Sequence, residues 1–293
     1  MVNIDDKLAC FIANIPVNAL AEQIALQSKD SVGEIEAFLD LFINEMHGAL
    51  DIVKPYLDLR LSLLEVGAGL CFFSLFLRSE NYNITALEPV AGGFDRFTLA
   101  KAVILDHYHE LDLSVLDKKA QDLLPQNDGY FDFVFSNNVI EHIPELDRTL
   151  AAIAKVMSRQ GKMVHGCPNY TVPYEPHFQI PVLKCWPGLS ERLYAKRLDP
   201  MTELWRSLNF ITYFDVRAFA KGHKMQLKLR KGLIHQAFVR LGQDSYFRER
   251  QSGKGLWYCY LLLKKTGLLR LLKYWPACLA TPMIIELSAL LDD

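Results

Sequence analysis

Residues 61–89 read LSLLEVGAGLCFFSLFLRSENYNITALEP, and their order decides the fold. Leu61 to Val66 is a nearly continuous apolar run, the pattern of a parallel strand buried on both faces. Gly67 and Gly69 follow at once. Without a Cβ, each lets the backbone turn tightly at the strand end and come close to a ligand. A short apolar helix pattern, from about Cys71 to Arg78, leads to a second strand, Ile84 to Leu87. Glu88 closes that strand about twenty residues after the glycines, where a carboxylate can accept hydrogen bonds from ribose hydroxyls. Strand, glycine turn, helix, strand and acid make a nucleotide-binding half-unit. A dinucleotide fingerprint asks for a third glycine at position 72, so that the helix can sit close over a pyrophosphate. Phe72 stands there. The aromatic ring argues against NAD or FAD and for a nucleoside ligand without a pyrophosphate.

Upstream of this stretch, Ser31 and Glu34 form a capping-box pattern. Ile35, Phe38, Leu39, Phe42, Met46, Ala49 and Leu50 follow at helical spacing, and Pro55 ends the segment. This helix is read as a cover for the sheet, with a share in the ligand site as the alternative. Downstream, Gly92, Gly93 and Phe94 start a helical stretch to about His107, and a weaker strand lies near Leu111 to Leu116. Phe131 to Phe135 is a clear strand that runs into Ser136, Asn137 and Asn138. Pro144 opens a helix with the stripe Leu146, Leu150, Ile153 and Met157, and Gly161 is read as its stop. Lys162 to Cys167 is the fifth strand. This rhythm predicts an α/β fold, a doubly wound and mostly parallel sheet with right-handed crossovers.

After the fifth strand the rhythm breaks. Pro168, Pro173, Pro176 and Pro181 exclude regular helix or central strand. An aromatic-rich helical insertion with Trp186, Tyr194 and Trp205 runs to about Leu208, and Asp215 to Lys221 is a short helix closed by Gly222. Met225, Leu227 and Leu229 alternate with polar residues, as in a half-buried strand near one edge. Ile234 to Cys278 is mostly helical in pattern, and TPMIIELSAL, from Thr281, reads as a final strand. The expected organisation is a helical cap over 1–58, a cofactor-binding core over 59–170 and a substrate lid over 171–214. Residues 215–293 then complete the sheet around a leucine-rich helical insertion.

Bulk properties exclude several classes. The net charge is −2 and 51% of the 293 residues are hydrophobic, which suits a large core and argues against a nucleic-acid partner. The six cysteines are scattered with no ligand spacing, so reduced thiols and no zinc are expected. MVNIDDKLAC lacks a signal-peptide pattern, and no apolar run reaches the roughly 18 residues of a membrane span. A cytoplasmic chain is expected. The segment Leu261 to Trp275, LLLKKTGLLRLLKYW, pairs leucines with Lys264, Lys265, Arg270 and Lys273. It is either a surface helix packing its leucines on the sheet or a basic helix peripheral to the inner face of a membrane.

Four segments, LLEVGAGLC, ITALEP, FDFVFSNNVIEHI and GKMVHGCPN, together resemble the class I S-adenosylmethionine-dependent methyltransferases, in the type 11-like branch with small-molecule and lipid-linked substrates. The resemblance covers about Leu61 to Tyr170. It implies a seven-stranded Rossmann-like sheet whose last strand is antiparallel, and S-adenosyl-L-methionine as cofactor. By position, Glu65, Gly67 and Gly69 would line the methionine end of the cofactor, with Glu88 on the ribose. Asn137, with Asn138, would lie at the amino-acid and sulfonium end. The adenine contact would come from the Ala120 amide with Gln121 assisting, since Lys119 stands where the family often has an acid.

The methyl donor is already activated, so transfer is helped chiefly by positioning, while a hydroxyl acceptor also needs its proton removed. His177 is the first candidate base and His142 the second, because imidazole titrates near neutrality. Tyr170, Tyr174 and Glu175 are candidate acceptor contacts. No metal site is expected, since Glu175 and His177 supply only two ligands. Trp186, Tyr194 and Trp205 either stack on a sugar ring or form the core of a cap. The expected activity is O-methylation of a small or lipid-linked acceptor, such as a surface-polysaccharide sugar. Its alternatives are a non-catalytic methyltransferase-like binding domain, or C- or N-methylation of a quinone-type or other small molecule.

Overall fold

In a computed structural model of the chain, which describes residues 3–89, 96–199, 202–244, 248 and 254–290, three helices come first: α1 (Ile4–Ala13), α2 (Val17–Ala25) and α3 (Val32–Val53). The predicted capping box starts α3. Ser31 Oγ accepts from the Glu34 amide and the Glu34 carboxylate accepts from the Ser31 amide, at 3.4 and 2.8 Å. Two amides that a helix start leaves without partners are thereby satisfied. Ile35, Leu39, Met46 and Leu50 form its buried stripe.

The sheet follows with β1 (Ser62–Val66), α4 (Phe72–Ser79), β2 (Asn83–Leu87), α5 (Arg96–His107) and β3 (Ser114–Leu116). Gly92, Gly93 and Phe94, read as the start of α5, lie outside the described residues. Next come α6 (Pro125–Asp128), β4 (Phe131–Asn137), α7 (Leu146–Lys155) and β5 (Met157–Cys167). The proline-rich stretch leads to α8 (Pro187–Leu193), α9 (Ala195–Leu198), α10 (Thr202–Ser207) and α11 (Tyr213–Gly222). The remaining elements are β6 (Met225–Leu229), α12 (Leu233–Gln243), α13 (Lys254–Lys265) and β7 (Met283–Ala289).

The seven strands lie in the order β3-β2-β1-β4-β5-β7-β6 and the sheet is mostly parallel. β1 pairs in parallel with β2 and β4, and β2 with β3. Leu63, Leu64, Phe133 and Val134 are wholly buried on consecutive positions, as central parallel strands covered on both faces require. β6 is an edge strand, in keeping with its alternation. No single helix among the described residues is long and apolar enough to cross a membrane.

Two details depart from the sequence reading. Helix α7 ends at Lys155, and Met157 is the first residue of β5 rather than the last of a helical stripe. Gly161 lies inside that strand, where a Cβ would stand 3.0 Å from the Phe131 and Ser158 carbonyl oxygens. Its glycine answers a close backbone approach, not a helix stop. The third strand is shorter than predicted, because His109–Leu111 is a 3-10 turn and Asp112 has φ of 48°. A left-handed residue breaks the extended run.

By packing, the chain divides into two compact units. The first comprises residues 1–140, 145–165 and 287–293, and the second residues 141–144 and 166–286. Within the second, residues 168–181 are irregular apart from one bridge between Glu175 and Ile180. Trp205 packs edge-on to Phe178 and Phe210, and Phe210 in turn packs on Tyr170. Trp205 is 5% exposed and belongs to this core, whereas Trp186 is 67% exposed and Tyr194 half-buried.

Candidate active site

In the first unit, β1 runs into a turn that only glycine satisfies easily. Gly67 and Gly69 have φ of +71° and +57°. A Cβ on Gly67 would lie 2.5 Å from both methyls of Val139, and one on Gly69 would lie 3.0 Å from the Phe42 ring. The turn is fastened to β2. The Gly67 and Ala68 amides donate to the Leu87 carbonyl at 2.8 and 3.2 Å, and the Gly69 amide donates to Glu88 Oε2 at 2.9 Å.

This turn forms one wall of a cleft. Glu65, Gly67, Gly69 and Phe72 line it from the turn, with Asn137 at the end of β4 and Asn138 and Val139 just after it. Phe42, Glu45, Met46 and Ala49 of α3 form the facing wall. The N-terminal helix is thus more than a cover. Its lining residues were hidden in a regular amphipathic pattern, in which Glu45 beside Phe42, Met46 and Ala49 was the one available signal.

Glu65 is the buried carboxyl of the cleft. It is 7% exposed, and Ser74 Oγ donates to its Oε2. Burial pushes its carboxyl up to about 8, against the pull of the Ser74 hydrogen bond and with the Glu88 charge adding to the rise. A cationic group entering the cleft would favour the ionised form. Glu88 is also raised by burial, opposed by the Gly69 amide and Lys101. It holds the turn and does not line the cleft. Ala120 is buried and Gln121 half-buried on the 3-10 turn after β3, and neither lines this cleft. Five of the eight expected cofactor residues therefore line one surface, and Glu88 joins them through Gly69. Below them, Ser136 Oγ and His165 Nδ1 lie 2.8 Å apart, and both residues are wholly buried.

The second unit gathers the acceptor-side candidates. Glu175 is wholly buried. Its Oε1 accepts from His177 Nδ1 at 2.6 Å and from the Tyr170 hydroxyl at 3.1 Å, while Oε2 accepts from the Phe178 amide at 2.6 Å. Burial raises this carboxyl, but the hydrogen bonds and charge of His177 with the Phe178 amide outweigh it, so it lies below the usual range. Burial, then the Glu175 charge, pushes the Tyr170 and Tyr174 phenols up. Glu175 thus orients His177 from behind.

His142 stands beside this pair, its ring centroid 5.6 Å from that of His177. Its Nδ1 is 2.7 Å from Ser207 Oγ. The Ser207 hydroxyl donates its proton to the Leu204 carbonyl at 2.8 Å, so His142 Nδ1 is the donor of that contact. Burial, then the neighbouring His177, lowers the His142 imidazole to about 4, with Glu175 opposing. Glu141, wholly buried and absent from the sequence expectations, places Oε1 3.9 Å from His142 Nε2. Asn209 holds this segment: its amide donates to the Glu141 carbonyl and its Nδ2 to the Ile143 carbonyl, both at 2.8 Å. Glu141 lies in the segment FDFVFSNNVIEHI just before His142, and its spacing gives it no role of its own.

A family profile described as "Methyltransferase domain" matches residues 64–165. Uncharacterized proteins from two strains of Mycobacterium tuberculosis are each 33% identical to the chain over 198 residues, which is 65% of this chain. The aligned part spans 66% of the length of those relatives. Among solved structures, the Haemonchus contortus phosphoethanolamine N-methyltransferase 2 in complex with S-adenosyl-L-methionine is similar at 14% identity and a TM-score of 0.47. That match covers 83% of this chain and 52% of the other. A Thermotoga maritima S-adenosylmethionine-dependent methyltransferase, described as a possible histamine N-methyltransferase, is similar at 16% identity and a TM-score of 0.42, covering 68% and 79%.

Proposed function

Since the chain belongs, through residues 64–165, to the class I S-adenosylmethionine-dependent methyltransferases, we propose that the first-unit cleft holds S-adenosyl-L-methionine and that the chain methylates a hydroxyl acceptor. One observation carries the cofactor end: a glycine turn, a buried carboxyl and two asparagines line the same cleft. Glu65 would meet the cationic amino-acid end, and the Asn137 and Asn138 amides supply polar contacts beside it. Phe72, at the start of α4, lines the cleft, at the position where a dinucleotide fingerprint asks for glycine. The cofactor supplies a methyl group on an activated sulfonium. The protein's share is to bind, orient and exclude water. The acceptor's proton is assigned to His177, whose Nδ1 is held by Glu175, with His142 as the second imidazole.

The acceptor is read as small or lipid-linked, a surface-polysaccharide sugar being one example. Support for a membrane-borne acceptor comes from α13 and the 3-10 segment Leu268–Tyr274 after it. Leu262, Leu271 and Tyr274 are 63%, 59% and 84% exposed, and Lys264, Lys265, Arg270 and Lys273 are exposed among them. Apolar side chains left open between cations suit an anionic lipid surface. Sedimentation with vesicles containing anionic lipid, against neutral vesicles, tests this contact; equal or absent binding to both removes it.

Calorimetry tests the cofactor reading. S-adenosylmethionine and S-adenosylhomocysteine should bind and NADH should not; no heat from either sulfur compound leaves a non-catalytic domain. A cell extract incubated with the chain and methyl-labelled cofactor then identifies the acceptor. Label on nitrogen or carbon, rather than oxygen, would replace the O-methylation reading.

A further inference from the structure

We infer that Glu141, His142 and His177 form a binding site for a divalent first-row transition ion. The three side chains, one carboxylate and two imidazoles, each offer a ligand atom, and these atoms lie within 4.8 Å of one another. Ligand bonds of about 2.0–2.2 Å place the donors of one ion about 3 to 4 Å apart. The Glu141 Oε1 to His142 Nε2 distance of 3.9 Å already meets that spacing, and it is too long for a hydrogen bond between them. The remaining closure asks for a shift of about 1 Å or less.

The second observation is how the imidazoles are held. His142 Nδ1 donates to Ser207 Oγ and His177 Nδ1 donates to Glu175 Oε1. Each ring is thereby fixed in the tautomer that leaves a lone pair on Nε2, the form a metal takes. A ligating histidine characteristically donates its other nitrogen to a carboxylate, a carbonyl or water, which orients the ring and raises its basicity. Here both rings have such a partner, and Asn209 holds the backbone of the Glu141 segment. Two nitrogens and one oxygen favour Zn²⁺, Mn²⁺ or Fe²⁺ over Mg²⁺ and Ca²⁺, which prefer oxygen ligands. Three protein ligands leave positions open for water or an acceptor hydroxyl. In the ion-loaded chain both Nε2 lone pairs are taken, so the ion replaces His177 in easing the loss of the hydroxyl proton, which passes to solvent.

Co²⁺ alone, titrated into the chelator-treated chain, reads the site directly through its visible absorption, and metal analysis of the untreated protein reads the native ion. The expected result is one equivalent bound with a spectrum of mixed nitrogen and oxygen ligation. Glu141→Gln and His142→Ala should weaken binding by at least about 100-fold, and Ser207→Ala, which removes only a partner of a ligand, by about 10- to 100-fold. His47→Ala, on an exposed helical position, should change nothing. A wild-type chain that gives no Co²⁺ spectrum overturns the site, as does binding untouched by Glu141→Gln and His142→Ala. S-adenosylhomocysteine calorimetry on the same samples separates the two readings: lost cofactor binding with intact metal binding sinks only the methyltransferase reading, and the reverse sinks only the metal site.

Discussion

The Gly69 amide donates to Glu88 Oε2 at 2.9 Å, so the acid at the end of β2 holds the glycine turn at the end of β1. That carboxylate is committed to the fold, and the ribose contact expected of it from the sequence is what two variants test. Glu88→Ala leaves a part-buried amide without its acceptor, at up to about 1–3 kcal/mol of stability, and should also weaken S-adenosylmethionine binding. Glu88→Gln keeps an acceptor for Gly69 and should recover most of the stability but not the affinity. Denaturant unfolding and calorimetry on both variants separate the effects; full affinity in Glu88→Gln would remove the ribose assignment.

Glu65 predicts a pH dependence. Its carboxyl is raised to about 8, so it is mostly protonated at neutral pH in the protein alone. A cationic ligand needs the ionised form. Affinity for S-adenosylmethionine should therefore rise with pH, by up to about tenfold per unit, and level off above pH 8. Glu65→Gln should flatten this profile and weaken binding. Stability runs the other way. A carboxyl raised by folding from 4.5 contributes fully below that value and loses its contribution as pH climbs through about 8. Above pH 8 the ligand-free Glu65→Gln chain should unfold at higher denaturant than wild type.

Gly67→Ala meets two obstacles, the φ of +71° and the Val139 methyls 2.5 Å from the new Cβ. Left-handed strain and overpacking together predict a loss of about 2–4 kcal/mol. In a Val139→Ala background the clash goes and the backbone strain stays, so the loss should shrink to about 1–2 kcal/mol. A double-mutant cycle measures the coupling. Equal losses in both backgrounds would mean that the turn moves away from Val139.

His177→Ala should leave S-adenosylmethionine affinity within about twofold, because the cleft is lined wholly from the first unit, and lower turnover by about 10²–10⁴. Glu175→Gln should lower turnover less and shift the pH–rate profile, since it acts through the orientation of His177. Normal turnover in His177→Ala would clear that imidazole of any part in the reaction.

Local chemistry made much of this legible in the sequence. Leu61 to Val66, the two glycines and Glu88 announced strand, turn and strand end, because a doubly buried strand and a tight turn each demand residue types. Ser31 with Glu34 announced α3 for the same reason, two amides needing acceptors. Gly161 looks like a helix stop in the sequence and is a strand residue in the structure, because a glycine that ends a helix and one that admits a neighbouring backbone look alike until the neighbour is known.

What tertiary structure alone decided is which side chains meet. Phe42, Glu45, Met46 and Ala49 obey the helical period whether or not a ligand lies beside them, so only the packed chain makes them a wall of the cleft. Glu141 gives no local signal. Its meeting with His177 depends on how residues 166–209 fold back, and Asn209 and Ser207 hold Glu141 and His142 across more than sixty residues of chain. Sequence spacing fixes what a residue can do within its own element. The distance between elements, on which a proton or a metal ion depends, is set by the core.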